Sequence, residues 1–389
     1  MAHERRQLEL DAPVEFIEGD HERGGPQAGV ALCLSGGGYR AMLFHLGSLW
    51  RLNEFGYLPS IDRVSSVSGG SITSALLGLK WSSLDFDDDG VAPNFAQLIA
   101  PPLRAIASVT IDARSIIRAI LHLGSAAENV RKAYQKHLYG EATLQDLPER
   151  PSFVINATNV QSGVLWRFSK AYMADYRVGF VPDPETLLAT AVGASSAFPP
   201  VLSPAQLELA DGAVHDQLGT DLHRPPFTRH VFLTDGGVYD NLGLETAFKR
   251  YQTVIVSDGG GNLEPDPKPA TNWAQHGLRV VGIIDNQVGA LRKRRLIAAY
   301  VDETRTGAYW AVRTDIENYG LDDSLPCPVD ETLRLAGERA RLGAMPELIQ
   351  ERLINWGYAV TDAAMRAHVE GISGPPPQFP YPHAGVGSN

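Results

Sequence analysis

Two glycine-rich turns, each directly after a short apolar run, constrain the fold of this chain more than any other feature. Val30 to Leu34 runs into Ser35-Gly36-Gly37-Gly38, and Arg63 to Val67 runs into Ser68-Gly69-Gly70. Apolar residues at helical spacing fill the interval between the two turns. The pattern therefore predicts strand, helix and strand, a βαβ unit with a parallel sheet, in which both turns face one crevice.

The same alternation continues along the chain and predicts an α/β protein of three layers, α/β/α, with a mostly parallel central sheet and extra C-terminal helices. Further strands are expected over 151–156, 164–169, 230–234, 253–257 and 279–284, and helices over 69–79, 103–123 and 187–197. The expected organisation is an N-terminal arm over 1–28, an α/β domain over 29–290, a helical extension packed on it over 291–370 and a flexible tail over 371–389.

Composition excludes several classes of protein. The 389 residues are 44% hydrophobic and 20% charged, which is typical of a globular enzyme. A net charge of −11 leaves no broad cationic surface for nucleic acid, and no cofactor motif or metal-ligand cluster stands out. Two cysteines cannot staple a domain of this size, which favours a reducing compartment. The charged N-terminus predicts no signal peptide, so we expect a cytoplasmic protein; export without such a signal stays open.

Ser68 is the candidate nucleophile. A serine on a sharp strand-to-helix turn needs small neighbours two residues before and after it, as in the nucleophile elbow G-x-S-x-G. Ser66 and Gly70 stand at those places, and Gly69 follows the serine directly. The partial positive charge of the helix N-terminus favours an alkoxide or an adjacent oxyanion there. The alternative interpretation is an ordinary glycine-serine turn.

The first glycine loop can supply backbone N–H groups, either for an oxyanion hole or for a phosphate. Gly36, Gly37 and Gly38 leave these groups unblocked, and Arg40 could anchor an anionic group or pin the loop. A dinucleotide site is disfavoured, because Ala41 replaces the third glycine of that fingerprint and no acidic residue follows the second strand.

A base is needed beside the serine. Asp235 ends a predicted strand and begins the turn Gly236-Gly237 at the same edge of the sheet. Asp258 has the same local setting, and Asp211 is a weaker candidate. His45 is interpreted as a packed histidine. From the residues alone, Asp235 and Asp258 cannot be separated.

Four motifs in order resemble those of the patatin-like phospholipases: Ser35 to Arg40, the elbow at Ser68, Ala194 to Pro200, and Asp235-Gly236-Gly237. The resemblance covers roughly residues 29–260. It implies a Ser-Asp dyad of Ser68 and Asp235, without histidine, that hydrolyses acyl esters of lipids through an acyl-serine. Asp235 is preferred to Asp258 because Val238 to Asn241 resembles the continuation found in the family.

The resemblance also implies further roles. Gly36, Gly37, Gly38 and Tyr39 would form the oxyanion hole. The loop is similar to that of the cytosolic phospholipase A group as well, which supports Arg40 as a head-group or loop anchor. The expected partners are a phospholipid or other lipid ester and the membrane or micelle that carries it, and a protein activator is left open. The activity would be that of a phospholipase A, a lysophospholipase or a non-specific esterase.

Two rival functions remain. One is an α/β-hydrolase with a Ser-His-Asp triad, which requires a late histidine such as His276 or His368. The other is a non-catalytic regulator that binds lipid or nucleotide. Residues 103–123 form a candidate lid with Arg114 and Arg118 near head groups, or pack on the core. The basic run Arg292 to Arg295 is either a solvated helix end or a contact with anionic lipid.

Overall fold

A computed structural model describes residues 26–111, 125–217, 219–372 and 374–387. Its strands are β1 (Gln27–Leu34), β2 (Arg63–Val67), β3 (Ser152–Asn159), β4 (Val164–Phe168), β5 (Tyr172–Asp175), β6 (Gly179–Pro182), β7 (Ala205–Glu208), β8 (His230–Asp235), β9 (Tyr251–Asp258) and β10 (Tyr309–Ala311). Its helices are α1 (Gly38–Glu54), α2 (Gly69–Lys80), α3 (Phe95–Ala107), α4 (Ala126–Tyr134), α5 (Leu188–Ser195), α6 (Gly237–Asp240), α7 (Glu245–Phe248), α8 (Trp273–Val301), α9 (Val329–Ala336) and α10 (Glu347–His368).

The described strands form one sheet whose centre is parallel. Its main order is β10-β9-β1-β2-β3-β4-β5-β6, and the first five of these strands run in the same direction. β3 to β6 form an antiparallel meander, so the predicted pairing of β3 with β4 is confirmed. The predicted βαβ unit is present as β1-α1-β2.

Helices cover both faces of the sheet. Leu32 and Leu34 of β1 belong to the large core cluster that includes α1 and α10, whereas Ala31 and Cys33 belong to a smaller cluster with residues of α7 and α8. Because successive side chains of a strand point to opposite faces, this division shows apolar packing on each side. The predicted three-layer α/β/α class is therefore confirmed.

β8 approaches the centre of the sheet from the opposite direction. β3 is longer than β2: its pairing with β2 ends at Asn156, opposite Val67. β8 is antiparallel to the remaining part of β3 and ends with Asp235 opposite Ala157. β4 occupies the other edge of β3 over the same residues. β2 and β8 therefore share one edge of β3 and meet end to end, each with its C-terminus at the junction.

The strand predicted over 279–284 is wrong, because these residues lie inside α8. The side chain of Asn272 accepts a hydrogen bond from the Gln275 N–H and caps this helix, which continues without a turn to Val301. A short apolar run has no periodicity that separates a buried strand from a helix. The edge of the sheet beyond β9 is occupied by β10 instead.

The helix predicted over 103–123 is also not continuous. α3 begins earlier and ends at Ala107, and residues 108–111 are not helical. The Ser108 hydroxyl donates to the carbonyl of Arg104 in the last turn of α3. Arg114 and Arg118 lie outside the described residues. The arm predicted over 1–28 also lies outside them except for its last three residues, of which Gln27 and Ala28 belong to β1.

A flexible tail was predicted over 371–389, but its described residues 374–387 are attached to the α/β core. The Asn355 amide of α10 donates to the carbonyls of Tyr381 and Gly385, and Arg51 of α1 donates to the carbonyl of Pro375. Ala384 is buried. The prediction relied on glycine and proline content, which carries no information about a polar anchor on another helix.

α1 and α10 cross at direct backbone contact. A Cβ atom at Gly47 of α1 would overlap with the Ile354 carbonyl oxygen, and one at Gly357 of α10 would overlap with the Phe44 carbonyl oxygen. Glycine at these two positions allows the helices to approach so closely that no side chain fits between them.

We therefore expect Gly357→Ala to lower the free energy of unfolding by about 1–3 kcal/mol, as overpacking does. Gly277→Ala is the matched control, since Gly277 lies in a helix with no atom within 4 Å of an added Cβ. It should be neutral or stabilising by up to about 1 kcal/mol. Urea unfolding measures both, and an equal response of the two variants would contradict the close crossing.

Candidate active site

Ser68 stands on a strained turn between β2 and α2. Its backbone φ is 49°, a left-handed conformation that is rare for a residue with a side chain. The turn leaves no room for larger neighbours, because a Cβ at Gly69 would overlap with the Gly38 carbonyl and one at Gly70 with the Leu34 carbonyl. This is the geometry of a nucleophile elbow.

Ser66 fits the place that glycine holds in the usual elbow pattern. It is fully buried, and its hydroxyl accepts hydrogen bonds from Ser71 (3.1 Å) and Ser74 (2.7 Å) of α2. The hydroxyl also donates weakly to the carbonyl of Val154 at 3.4 Å. The side chain is therefore used to fasten α2 to the sheet beneath the turn.

Asp235 reaches Ser68 through the end-to-end meeting of β8 and β2. The Ser68 side chain lies near enough to its carboxyl to influence the pKa, and the Gly237 N–H donates to Oδ1 at 2.7 Å. Burial raises the pKa of Asp235 to about 7, although the Gly237 N–H and the Ser68 side chain lower it, and the charge of Asp285 raises it further. A carboxyl with this pKa, beside a serine hydroxyl, is suited to accept a proton near neutral pH.

Asp258 has a different environment, which separates the two aspartates that the sequence left open. Its carboxylate forms an ion pair with Lys293 at 2.6 Å and accepts hydrogen bonds from Tyr309 (2.8 Å) and from the Gly260 N–H (2.9 Å). Burial acts to raise the pKa of Asp258, but Lys293 and these hydrogen bonds outweigh it and hold the pKa below its usual range. Asp258 is therefore a fixed anion.

Asp211 is not part of this arrangement. Its exposed carboxylate pairs with Arg229 at 2.6 Å on the protein surface.

The glycine loop lies against Ser68 with part of its N–H groups already used. The Gly36 N–H donates to the Asn241 carbonyl (3.0 Å) and the Tyr39 N–H donates to the Arg341 carbonyl (3.1 Å). Within the described part of the chain, no acceptor lies in hydrogen-bond range of the N–H groups of Gly37, Gly38 or Gly69. Of the four N–H groups expected to form the oxyanion hole, only those of Gly37 and Gly38 are thus available. The Gly69 N–H, which was not among them, is available as well.

Arg40 is held inside the protein. Its guanidinium donates to the carbonyl of Gly259 (3.0 and 3.2 Å), to that of Ala336 (2.9 Å) and to that of Glu338 (2.6 Å). Burial lowers its pKa to about 10. These contacts favour the second of its two expected roles, in which it pins the loop. The other role, binding of a lipid head group, stays a prediction.

The histidines do not form a triad in the described residues. His45 is fully buried, with Nδ1 2.8 Å from the Ser257 hydroxyl and Nε2 2.9 Å from the Ser35 carbonyl oxygen, and burial lowers its pKa to about 4. His276 and His368 are exposed, and neither has a described contact with Ser68 or Asp235. His45 is therefore a packed structural residue.

Ser195 positions the candidate site, and the sequence reasoning did not assign it such a role. Its hydroxyl accepts from the Ser68 N–H (2.9 Å) and donates to the Asn156 carbonyl (2.6 Å). The chain just after it accepts the Asp235 N–H at the Ala197 carbonyl (3.0 Å). The end of α5 thus fastens both halves of the site. The run Ala194 to Pro200 was the available signal, but nothing in it indicated which atoms it holds.

Comparisons with known proteins agree with this architecture. A family model described as a patatin-like phospholipase matches residues 32–248, more than half of the chain. No curated protein gives a significant match.

Among solved structures, human GIVD cytosolic phospholipase A2 in complex with methyl gamma-linolenyl fluorophosphonate inhibitor and terbium chloride aligns with a TM-score of 0.51 at 15% identity, over 94% of this chain and 60% of that chain. The human protein alone gives 0.49 at 14% identity, over 93% and 64%. VipD from Legionella pneumophila gives 0.34 at 18% identity, over 88% and 67%. The chain thus spans less than two thirds of the human chains, and the likeness concerns the fold.

The two aspartates should respond oppositely to pH. Because the folded pKa of Asp235 lies above its usual 3.8, its contribution to stability is present below about pH 4 and is lost as the pH rises to about 7. Between about pH 4 and pH 7, the stability of Asp235→Asn relative to that of the wild type should therefore increase by about 4 kcal/mol.

Asp258→Asn is the matched control with the opposite sign. The folded pKa of Asp258 is lowered, so its contribution is present at neutral pH and is lost in acid. This variant should be less stable than the wild type at neutral pH, and the difference should shrink as the pH falls. Urea unfolding at a series of pH values measures both, and parallel curves for the two variants would refute the assignment.

Proposed function

Because the chain belongs to the patatin-like phospholipase family, we propose that it hydrolyses acyl esters of lipids through an acyl-serine intermediate. The observation that carries the proposal is the position of the strained Ser68 at the end of β2, next to the end of β8 and its buried carboxyl Asp235, whose pKa is about 7. Family membership supports a lipid ester as the substrate. The dyad and its mechanism rest on the geometry of the site.

The reaction proceeds in two steps. Ser68 Oγ attacks the carbonyl carbon while the Asp235 carboxylate takes the hydroxyl proton, and the same proton then passes to the leaving alcohol. Water attacks the acyl-serine next, giving its proton to Asp235, and collapse of the second intermediate releases the fatty acid and returns the proton to Ser68. Asp235 is thus ionised at the start of each step.

The oxyanion of each tetrahedral intermediate needs donors beside Ser68. In the glycine loop, the N–H groups of Gly37 and Gly38 are available as donors, because those of Gly36 and Tyr39 already donate to other carbonyls. The Gly69 N–H is a third donor, since the residue after the nucleophile contributes to this site in nucleophile elbows. The partial positive charge at the start of α2 adds to the same stabilisation.

A non-catalytic binding function receives less support. Arg40, the residue expected to hold a phosphate, spends its donors on the carbonyls of Gly259, Ala336 and Glu338. A strained serine beside an uncompensated buried carboxyl costs stability without benefit to a binding protein. A triad with histidine lacks a described histidine in contact with the dyad.

Hydrolysis of a short-chain p-nitrophenyl ester and of phospholipid vesicles tests the dyad directly. Ser68→Ala and Asp235→Asn should each lower kcat/KM by at least about 10³-fold, because each removes a group that acts in both steps. Asp258→Asn is the control in the same kind of turn and should retain activity, as should His276→Ala and His368→Ala. Circular dichroism verifies folding, and full activity of Ser68→Ala would refute the proposal.

The pH dependence tests the role of Asp235. Only the ionised carboxylate accepts the serine proton, so kcat/KM should rise with pH and level off above about pH 7. At pH 5 it should be about 100-fold below its plateau. Asp285→Asn should move the rise to lower pH, because the charge of Asp285 raises the pKa of Asp235. A rise centred near pH 4 in the wild type would contradict a buried base.

A further inference from the structure

α8 turns apolar side chains toward solvent along most of its length. Trp273, Val280, Ile284 and Leu291 are 88%, 40%, 58% and 59% exposed. Their spacing of seven, four and seven residues puts them on one line of the helix, about 27 Å long at 1.5 Å per residue. We call these four residues the apolar face. Other exposed apolar residues flank it: Val281, Ile283 and Val288.

Between residues 279 and 290, the side of α8 that is turned toward the protein is small or polar. The less exposed residues of this stretch are Arg279, Gly282, Asn286, Gly289 and Ala290. Only near its end does the helix bury a large apolar side chain, Leu296. This is the reverse of an ordinary surface helix, whose apolar stripe packs on the core. The apolar face therefore does not hold α8 to the protein, and exposed apolar patches of this extent mark interaction sites.

Ion pairs fix α8 beside the candidate active site. Arg292 donates to Glu245 (3.1 Å) and to the Tyr239 carbonyl (3.2 Å), in the turn that follows Asp235. Lys293 pairs with Asp258 at 2.6 Å. Two residues of the basic run Arg292 to Arg295 thus point inward. Both interpretations of the run, a solvated helix end and a contact with anionic lipid, had assumed that its side chains face outward. They hold the helix in one orientation relative to Ser68.

Two further basic residues of α8 lie on the side of the apolar face. Arg294 and Arg295 are exposed one turn beyond Leu291, and the Arg295 guanidinium lies 5.0 Å from the centre of the Phe248 ring. Arg279 instead donates to the Glu264 carbonyl at 2.8 Å. The helix carries five basic residues and one acidic residue, a formal charge of +4, in a chain of net charge −11. The single acid, Asp285, lies on the flank toward Asp235, on which its charge acts. Because Arg292 and Lys293 are paired with acidic residues, the exposed positive charge of α8 is that of Arg294 and Arg295, at one end of the apolar face.

More apolar residues are exposed on the rim of the site. Phe198 is 62% exposed and directly follows Ala197, whose carbonyl binds the Asp235 N–H. Val238 is 50% exposed and belongs to α6, against which α8 packs. Exposed apolar residues thus occur both on α8 and next to the dyad.

We propose that α8 is an interfacial helix that lies in the surface of an anionic lipid bilayer, with the apolar face among the acyl chains and Arg294 and Arg295 at the phosphates. An apolar side that carries basic and no acidic residues matches this surface. A second copy fits less well, because α8 has no acidic residue on its apolar face to pair with Arg294 and Arg295 of the other copy. No helix among the described residues is long and apolar enough to cross a bilayer.

The inference rests on the proposed function in one respect: it explains how a lipid ester is brought to Ser68. Binding is therefore tested with Ser68→Ala as the background, so that hydrolysis does not alter the vesicles. Flotation with vesicles of phosphatidylcholine and phosphatidylglycerol should recover the protein, and vesicles of phosphatidylcholine alone should recover less. Raising the salt from about 0.1 M to about 1 M should weaken binding, since the screening length falls from ~10 Å to ~3 Å.

Substitutions on the helix test the assignment of the surface. Ile284→Asp with Leu291→Asp should lower vesicle binding at least about tenfold, and Arg294→Gln with Arg295→Gln about fivefold per charge on anionic vesicles. Leu333→Asp with Leu348→Asp is the matched control, at 39% and 44% exposure on α9 and α10, and should bind as before. In the background with Ser68 intact, the α8 variants should hydrolyse a soluble short-chain ester at the normal rate.

Trp273 gives a local readout of the same contact. Its emission should shift to shorter wavelength with anionic vesicles. Trp273→Phe should remove most of the shift, because Trp273 is the one exposed tryptophan of the six: Trp166, Trp310 and Trp356 are fully buried, and Trp50 and Trp81 are partly buried. Equal binding of the α8 variants and the control pair would overturn the proposal. So would a dimer in solution that Ile284→Asp and Leu291→Asp dissociate, which would assign the face to a second copy. Vesicle binding without any ester hydrolysis would leave the proposed docking intact and refute the proposed function.

Discussion

The arrangement of the site depends on one edge of β3, which two strands share from opposite directions. β2 pairs with β3 as far as Asn156, and β8 pairs with it from Ala157 onward. The backbone hydrogen bonds of β3 therefore fix where both strands end. Since Ser68 and Asp235 stand at those ends, their proximity follows from strand register, and α5 ties the junction together through Ser195.

Charge pairing then divides the two similar aspartates into different roles. Asp258 has a cation, Lys293, and remains an anion, whereas Asp235 has only hydrogen-bond donors in a buried place and keeps a pKa of about 7. Lys293 comes from α8, the same helix that Arg292 fastens to the turn after Asp235. One helix thus neutralises the competing carboxylate, flanks the site and, in the account proposed above, carries it to a lipid surface.

The sequence predicted the parts of this structure that local patterns encode. Strand followed by glycine turn located β1, β2, and the loops that hold Gly37 and Ser68. The same pattern indicated that Asp235 lies at the same crevice, but the prediction assumed that its strand is parallel to the others. β8 is antiparallel, and its end reaches the site because β3 extends beyond its pairing with β2. No local pattern reports contacts between residues that are far apart in the sequence. The strand register at β3, the ion pair of Asp258 with Lys293 and the hydrogen bonds of Arg40 to distant carbonyls are contacts of this kind. The apolar run over 279–284 led to the wrong prediction of a buried strand, because its apolar residues lie on a helix and face outward.

Reaction with a fluorophosphonate, followed by peptide mapping, tests the central claim most directly, because the reagent forms a bond with an activated serine and with few others. The account predicts one phosphonyl group per chain, on the peptide that contains Ser68 and on that residue. It also predicts that Asp235→Asn reacts far more slowly and that Asp258→Asn reacts at a rate near that of the wild type. Labelling of another serine, or equal rates for the two asparagine variants, would contradict the pairing of Ser68 with Asp235.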